Sequence, residues 1–400
     1  MTGPIRTLLF STLYPSASRP VHGIFVETRL RELLGSAQVE TRVVAPVPWF
    51  PSTHPRFGEF AKMAATPAHE RRHGIEVLHP RYLTVPKLGM TLAPFLLAAA
   101  SIGPIHRLIT EGFNFDIIDA HYYYPDGVAA AMLAHYFRKP LTITARGTDL
   151  NLIPEHAIPR RLIRWAARRA DASIGVCAAL VDVLRGWGID ETRLHVFRNG
   201  VDLERFHPQA PSEARRALGL TGSPLLLSVG HLVERKGHHL AIEAMPAVVE
   251  THPGARLLII GEGSERARLE SLMQSLGLAD HVRLVGAIDN QLLASWYSAA
   301  DALVLASSRE GWANVLLEAM ACGTPVLATR IWGTPEVVAD DSVGVLVDRR
   351  DAASVAAGLL NLLGKPRDRA RVRTYAEGFS WAQTTTAQLE LFRRLRAVPR

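Results

Sequence analysis

Cysteine is scarce in this chain: 400 residues carry only Cys177 and Cys322. They lie far apart and at no metal-ligand spacing. This argues against a disulfide framework and for a reducing, cytoplasmic compartment. Long apolar runs are also missing. The nearest, Thr91–Ile105, is broken by Pro94, Gly103 and Pro104, so a membrane-spanning helix is not expected. The opening Met1-Thr-Gly-Pro-Ile-Arg6 leads straight into an apolar strand, so a signal peptide is not expected. There is no Asp-x-Asp pair and no His/Cys/Asp cluster at metal spacing, so no metal ligand is expected. Helix-turn-helix, RNA-binding and zinc-finger patterns are lacking, so nucleic acid is not an expected partner. Short repeats and low-complexity segments are absent as well.

What is present reads as a globular chain, with 48% apolar and 21% charged residues, and its length suggests two domains. Positive charge is unevenly spread. Residues 1–200 hold 23 Lys/Arg against 16 Asp/Glu, while residues 201–400 hold 22 of each. The excess suits an anionic membrane or an acidic substrate.

Strands alternate with helices throughout, which predicts parallel sheets covered on both faces. In the first half strands are expected at Thr7–Phe10, Thr41–Ala45, Ile117–Ala120, Leu141–Thr144, Ala172–Gly175 and His195–Phe197. Helices are expected between them, as at Ile24–Leu34 and Val128–Phe137. The pattern restarts with Leu225–Val229, Leu257–Ile260, Val282–Leu284, Ala302–Leu305, Val326–Ala328 and Val345–Val347. The break in Asn199–Pro208 gives an N-terminal domain over 1–203 and a second over 204–380, followed by a helical tail over 381–400. In such sheets ligands sit beyond the carboxyl ends of the strands.

The most informative segment is Ser307–Pro325. Glu310 lies in a Ser/Gly loop after a strand, and Glu318 lies on a helix that Asn314 can cap and Gly323 can end. A glycine-containing entry to a helix N-terminus suits a diphosphate. A carboxylate one turn further in suits vicinal hydroxyls, because it accepts two hydrogen bonds and donates none. Together these describe a nucleotide-sugar site. The pattern E-G-x-x-N-V-L-L-E-A-M-A-C-G-T-P resembles the E-x7-E segment of retaining GT-B glycosyltransferases, in particular family 4. The resemblance implies that Glu318 holds the nucleotide ribose and Glu310 contacts the transferred sugar. It also implies that the amides of Gly311, Asn314 and Val315 hold the sugar and distal phosphate. The implied fold is α/β, of GT-B type, with two doubly wound Rossmann-like domains facing a central cleft and a last helix crossing back to the first domain.

Other segments extend the resemblance. In Ser228–His238, Lys236 stands where the family grips the diphosphate. His231 occupies the place of the usual Arg, and Arg235 is the other cation within reach. Gly261 and Gly263 form a G-x-G that lines the nucleotide pocket in the family; Arg266 at the third position excludes a dinucleotide fingerprint. Gly286 and Ala287 stand where the base edge is read. In Asp119–Gly127, His121 matches the family's second His, beside the transferred sugar, and Asp119 replaces the first. Thr144–Asn151 resembles T-x-R-G-x-D. It turns Arg146 and Asp149 toward the acceptor, or else makes them an internal pair holding the loop. Gly23, before the first helix, matches the first βα loop on the acceptor side.

The expected activity is metal-free, retaining glycosyl transfer from a nucleotide sugar (UDP- or GDP-linked, with no cofactor) to a glycan or lipid-linked acceptor. The expected setting is cell-surface polysaccharide biosynthesis, with His121, Glu310 and Lys236 as catalytic residues. The alternative is a GT-B scaffold or regulatory subunit with a degenerate donor site, which His231 keeps open. Arg161, Arg164 and Arg168 share one helical face beside Trp165. With the apolar Leu88–Ile109 stretch they predict peripheral binding to an anionic membrane on its cytoplasmic face.

Overall fold

The protein is described here from a computed structural model, which covers residues 3–84 and 89–397. The chain divides into two compact units. One runs to Arg198 and takes in the residues from Ala382 onward; the other is Asn199–Trp381.

Unit 1 is built on eight strands: β1 (Ile5–Phe10), β2 (Val39–Val44), β4 (His69–Arg72), β5 (Ile75–Leu78), β7 (Ile117–His121), β8 (Leu141–Ala145), β9 (Ala172–Gly175) and β10 (Leu194–Val196). Their order is β10-β9-β8-β7-β1-β2-β5-β4. A separate parallel pair joins β3 (Val47–Pro48) to β6 (Arg81–Tyr82). Every residue of β7, β8 and β9 is buried, as expected of parallel strands covered on both faces. The sheet is not wholly parallel, because β4 pairs antiparallel to β5. The polar run His-Glu-Arg-Arg of β4 gives no strand signal, and its pattern is that of an exposed edge. The helices are α1 (Ile24–Gly35), α2 (Glu59–Ala65), α3 (Gly89–Thr110), α4 (Val128–Phe137), α5 (Thr148–Asn151), α6 (Ala157–Arg169) and α7 (Ala178–Gly186).

The expected break in the apolar stretch does not occur. α3 is one helix of 22 residues that runs through both Pro94 and Pro104. By length and composition alone it could cross a membrane; a third of its most apolar window is buried, and it packs on α4. A proline removes one helical hydrogen bond but does not end a helix whose face is packed. Leu88, the first residue of the stretch as read from sequence, lies outside the described residues.

Unit 2 carries β11 (Leu225–Val229), β12 (Arg256–Ile260), β13 (Val282–Gly286), β14 (Ala302–Leu305), β15 (Val326–Thr329) and β16 (Gly344–Val347). All pairings are parallel, in the order β13-β12-β11-β14-β15-β16. This is the doubly wound arrangement, whose strand order reverses between β11 and β14. Its helices are α8 (Pro211–Ala217), α9 (His238–Thr251), α10 (Arg266–Ser275), α11 (Leu293–Ala299), α12 (Asn314–Ala321), α13 (Thr334–Val337), α14 (Ala352–Gly364) and α15 (Arg369–Glu377). The final helix, α16 (Trp381–Arg396), gives Leu389, Phe392 and Leu395 to the unit 1 core around Ile5, Leu33 and Ile117.

Candidate active site

The switch point of unit 2 gathers charge. The loop after β11 closes in a short turn, Glu234–Lys236, ended by Gly237 at φ +72. A Cβ at Gly237 would lie 2.0 Å from the Ala306 carbonyl oxygen, so only glycine lets this loop pack against the end of β14. The Ser308 amide donates to the Arg235 carbonyl at 2.8 Å. Arg350 ties both loops together, donating to the Ala306 carbonyl and to Glu234. Lys236 and Glu310 thereby meet, with Nζ donating to Oε1 at 2.6 Å. The same oxygen accepts from the Ser307 hydroxyl at 2.7 Å, and Arg235 Nη1 stands 3.5 Å away. Glu310 is 8% exposed, so this carboxylate is held by charge and hydrogen bonds rather than by water.

The next loops are stitched alongside. The Gly230 amide donates to the Ile260 carbonyl, Leu232 to Glu262, and Gly261 to Gly286. Gly261 (φ +145) would place a Cβ 1.9 Å from the Gly230 oxygen, and Gly263 would place one 2.3 Å from the Leu232 oxygen. The glycines therefore set how closely these loops approach. Gly286 (φ +94) ends β13, and Ala287 behind it is exposed. His231 is exposed, and its carbonyl accepts from His238 Nε2. Arg235, not His231, is the second cation beside Glu310.

Glu310, Gly311 and Trp312 lead into α12. Asn314 does not cap this helix. The cap position is Ala313, without a side-chain bond, and Asn314 is the first helical residue. Its amide closes on the Trp312 carbonyl, and its Oδ1 accepts from Asn199 Nδ2 at 3.3 Å. The tight Trp312–Asn314 turn starts the helix one residue earlier than a capping Asn would. Gly311 is buried, Val315 is half-buried beside Asn314, and Gly323 (φ +77) ends the helix. Glu318 Oε2 accepts from the Tyr297 hydroxyl at 2.8 Å. Burial raises the Glu318 pKa, against the opposing effect of that hydrogen bond and of Arg205 and Lys236. Nothing in the local sequence around Tyr297 marks it as a partner of Glu318.

In unit 1 the strand order reverses between β1 and β7. Gly23 (φ +68) starts α1, and a Cβ there would lie 2.4 Å from the Leu13 carbonyl oxygen. Asp126 fastens the same loop, accepting from the Thr12 amide at 2.9 Å and the Thr12 hydroxyl at 3.0 Å. Burial pushes its carboxyl up to about 7 in spite of those bonds. His121 ends β7 and is buried, 1% exposed. Arg146 Nη2 faces Nδ1, and Asp119 Oδ2 lies 3.3 Å from Nε2. Arginine only donates, so Nδ1 accepts and the Nε2–H points at Asp119. Asp119 also accepts from Thr142 at 2.7 Å and from Gln388 Nε2 at 3.1 Å; Gln388 in turn accepts from Arg29 Nε at 3.0 Å. Both ring nitrogens of His121 are thus engaged within unit 1. Asp149 accepts from the amides of Tyr123, Arg146 and Gly147, so it holds the loop, while Arg146 turns to His121 and to the Phe25 ring. Asp119, Arg29 and Gln388 were invisible as a network, being spread over 359 residues of sequence.

Burial pushes His121 down to about 4, with Asp119 opposing and Arg146 reinforcing; burial also brings His238 to about 4. Both are neutral in the fold and protonate near 6.5 when unfolded. Below pH 6.5 the unfolded chain binds more protons, so stability is full above that value and declines toward pH 4. The slope is about 1.4 kcal/mol per pH unit for each histidine. Thermal melts between pH 4 and 7 are expected to follow this, and His121→Asn to flatten the curve.

Comparison with known proteins identifies the family. The profile of the glycosyl transferases group 1 matches residues 212–379, and that of glycosyltransferase family 4 matches residues 60–205. A D-inositol 3-phosphate glycosyltransferase of Xylanimonas cellulosilytica is 32% identical over 84% of this chain and 86% of its own. The chain belongs to the family-4 GT-B glycosyltransferases. This glycosyltransferase is 30% identical to a glycogen synthase of Mycobacterium tuberculosis, over 86% of this chain and 83% of that one. Its fold matches a sucrose-phosphate synthase of Thermosynechococcus elongatus at a TM-score of 0.80, with 24% identity over 98% and 99% of the two chains. It also matches Anabaena HepE in complex with UDP-glucose at 0.72, with 18% identity over 97% and 99%. The family-4 enzyme is thus a glycosyltransferase that uses a nucleotide sugar, built on two Rossmann-like domains. Among the described residues no group of three or more His, Cys, Asp or Glu is arranged to hold a metal ion.

Proposed function

We propose that the enzyme moves a sugar from a nucleoside diphosphate to a glycan or lipid-linked acceptor, without a metal and with retention of configuration. The observation that carries this is the Lys236–Glu310 contact of 2.6 Å at the switch point of unit 2, with Arg235 beside it and α12 beginning four residues later. Lys236 and Arg235 supply the positive charge that a leaving diphosphate needs, and the amides of Gly311, in the loop before α12, and of Asn314 and Val315, in its first turn, supply donors. Glu310 accepts from the sugar and Glu318 from the ribose. Gly261, Gly263, Gly286 and Ala287 leave room for the nucleoside, and exposed His231 borders it. The acceptor oxygen bonds to the anomeric carbon as the bond to the diphosphate breaks. The diphosphate leaves with the electron pair and takes the acceptor proton on the same face. Gly23, Arg146 and Asp149 shape the acceptor side, and His121 serves there by holding Arg146 in place.

The names of the relatives span inositol phosphate and glycogen, so the acceptor is argued from this chain alone. Unit 1 holds 27 Lys/Arg against 17 Asp/Glu, and unit 2 holds 18 against 21. Arg161 and Arg168 are exposed on α6 and Arg164 is half-buried, with Arg169 stacked over the Trp165 ring at 4.2 Å. This favours an acceptor at an anionic membrane on its cytoplasmic face, in cell-surface polysaccharide biosynthesis. Incubation with UDP-, GDP- and ADP-sugars and a lipid-linked acceptor is expected to release nucleoside diphosphate equally with and without EDTA. NMR of the product is expected to show the donor's anomeric configuration. Dependence on Mg²⁺, or inversion, would contradict the reading, and absence of release with every donor would favour a scaffold. Co-sedimentation with phosphatidylglycerol vesicles is expected to be lost in Arg161/Arg164/Arg168→Glu, since each basic residue contributes about 1 kcal/mol.

A further inference from the structure

On unit 1, α3, α4 and α6 enclose an apolar cavity of about 460 Å³, within the range of small-ligand sites. Phe95, Ala98 and Ile102 of α3 line one side; Met132 and Leu133 of α4 and Trp165 of α6 line the other. Arg169 stands at its rim with His135 and Tyr136. The surroundings are unusually apolar for a surface. Phe95, Met90 and Tyr136 are 47%, 51% and 55% exposed, and nine of the eleven exposed large apolar side chains among the described residues belong to unit 1. Only on this unit does exposed apolar surface coincide with net positive charge.

We infer that this groove holds one hydrocarbon chain of an anionic bilayer phospholipid, with Arg169 at its headgroup. The groove supplies apolar walls that water leaves readily, and the arginines on the solvent face of α6 supply complementary charge. Topology separates it from the reacting groups. Tyr136 and Arg169 lie just before β8 and β9 begin, at the amino edge of the sheet. His121 and Arg146 lie just where β7 and β8 end, one strand length or about 16 Å away. The chain in the groove therefore belongs to a lipid of the membrane and not to the acceptor under transfer. This deepens the membrane reading above, yet it does not depend on donor chemistry.

The test uses the full-length enzyme and vesicles of phosphatidylcholine with phosphatidylglycerol brominated on its acyl chains. Bromine is expected to quench tryptophan fluorescence in the native enzyme, and to quench it much less in Trp165→Phe. Ala99 is exposed at the groove, so Ala99→Trp fills it without entering the core. This variant is expected to keep its melting temperature and its charge, and to bind vesicles about tenfold more weakly, since each methylene left in water weakens attachment severalfold. Phe95→Ser, which strips one wall, is expected to act in the same direction. Vesicle binding by Ala99→Trp equal to the native enzyme would overturn the groove while leaving surface charge as the means of docking. Loss of turnover only with a lipid-linked acceptor, at normal vesicle binding, would overturn it in favour of an acceptor site.

Discussion

Replacing Lys236 by alanine is expected to lower turnover by about 10²–10³-fold, the loss seen when one preorganised donor to a developing anion is removed. Lys236 Nζ reaches Glu310 at 2.6 Å, so the protein's own carboxylate holds the cation at the switch point. The diphosphate gains charge as the glycosidic bond breaks, so the effect falls mainly on kcat. Arg235 stands further off, at 3.5 Å, and cannot fully compensate. The variant also leaves the mostly buried Glu310 with Ser307 as its nearest partner, so a lower melting temperature is expected alongside. Single-turnover kinetics at saturating donor check the prediction. A change confined to KM would mean that Lys236 binds the ground state only.

Glu318→Ala is expected to weaken nucleotide-sugar binding by about 10–100-fold, because a hydrogen bond to a charged group contributes about 1.5–3 kcal/mol. The carboxylate is aimed by the Tyr297 hydroxyl at 2.8 Å, and Tyr297 is fully buried against Phe206. Tyr297→Phe keeps the ring and removes only the aim, so a smaller loss is expected from it. Isothermal titration calorimetry with nucleoside diphosphates separates the two. Near-native affinity in Glu318→Ala would remove Glu318 from the donor site.

Much of this was legible in the sequence because parallel strands buried on both faces give short apolar runs followed by glycine-rich loops. β11 and β14 fall on Leu225–Val229 and Ala302–Leu305, with the bounds that the apolar runs predict. The Glu310 and Glu318 segment was legible for the same reason: strand, loop and helix are contiguous in the chain. Edge elements were not. β4 is polar, and β3 and β6 are two residues each, too short for any periodicity. The prolines of α3 predict a break that the fold does not have, because tertiary packing that carries a helix past proline leaves no local mark. Contacts between distant segments were invisible for a related reason. The Arg29–Gln388–Asp119–His121–Arg146 chain and the Tyr297–Glu318 bond join residues whose neighbourhood is set by topology. His121 was assigned a place beside the sugar. In the fold its ring is buried, with Nε2 at Asp119 and Nδ1 facing Arg146.

A nucleotide-sugar site at the β11–β14 switch point of unit 2 makes a direct demand on binding. The most direct measurement is a thermal-shift screen of nucleotide sugars against the native enzyme and Glu318→Ala. A donor at 100 times its Kd stabilises the folded state by about 2.7 kcal/mol. At least one nucleotide sugar is therefore expected to raise the native melting point, at a concentration where Glu318→Ala does not respond. Equal shifts in both proteins, or no shift with any nucleotide sugar, would contradict the account.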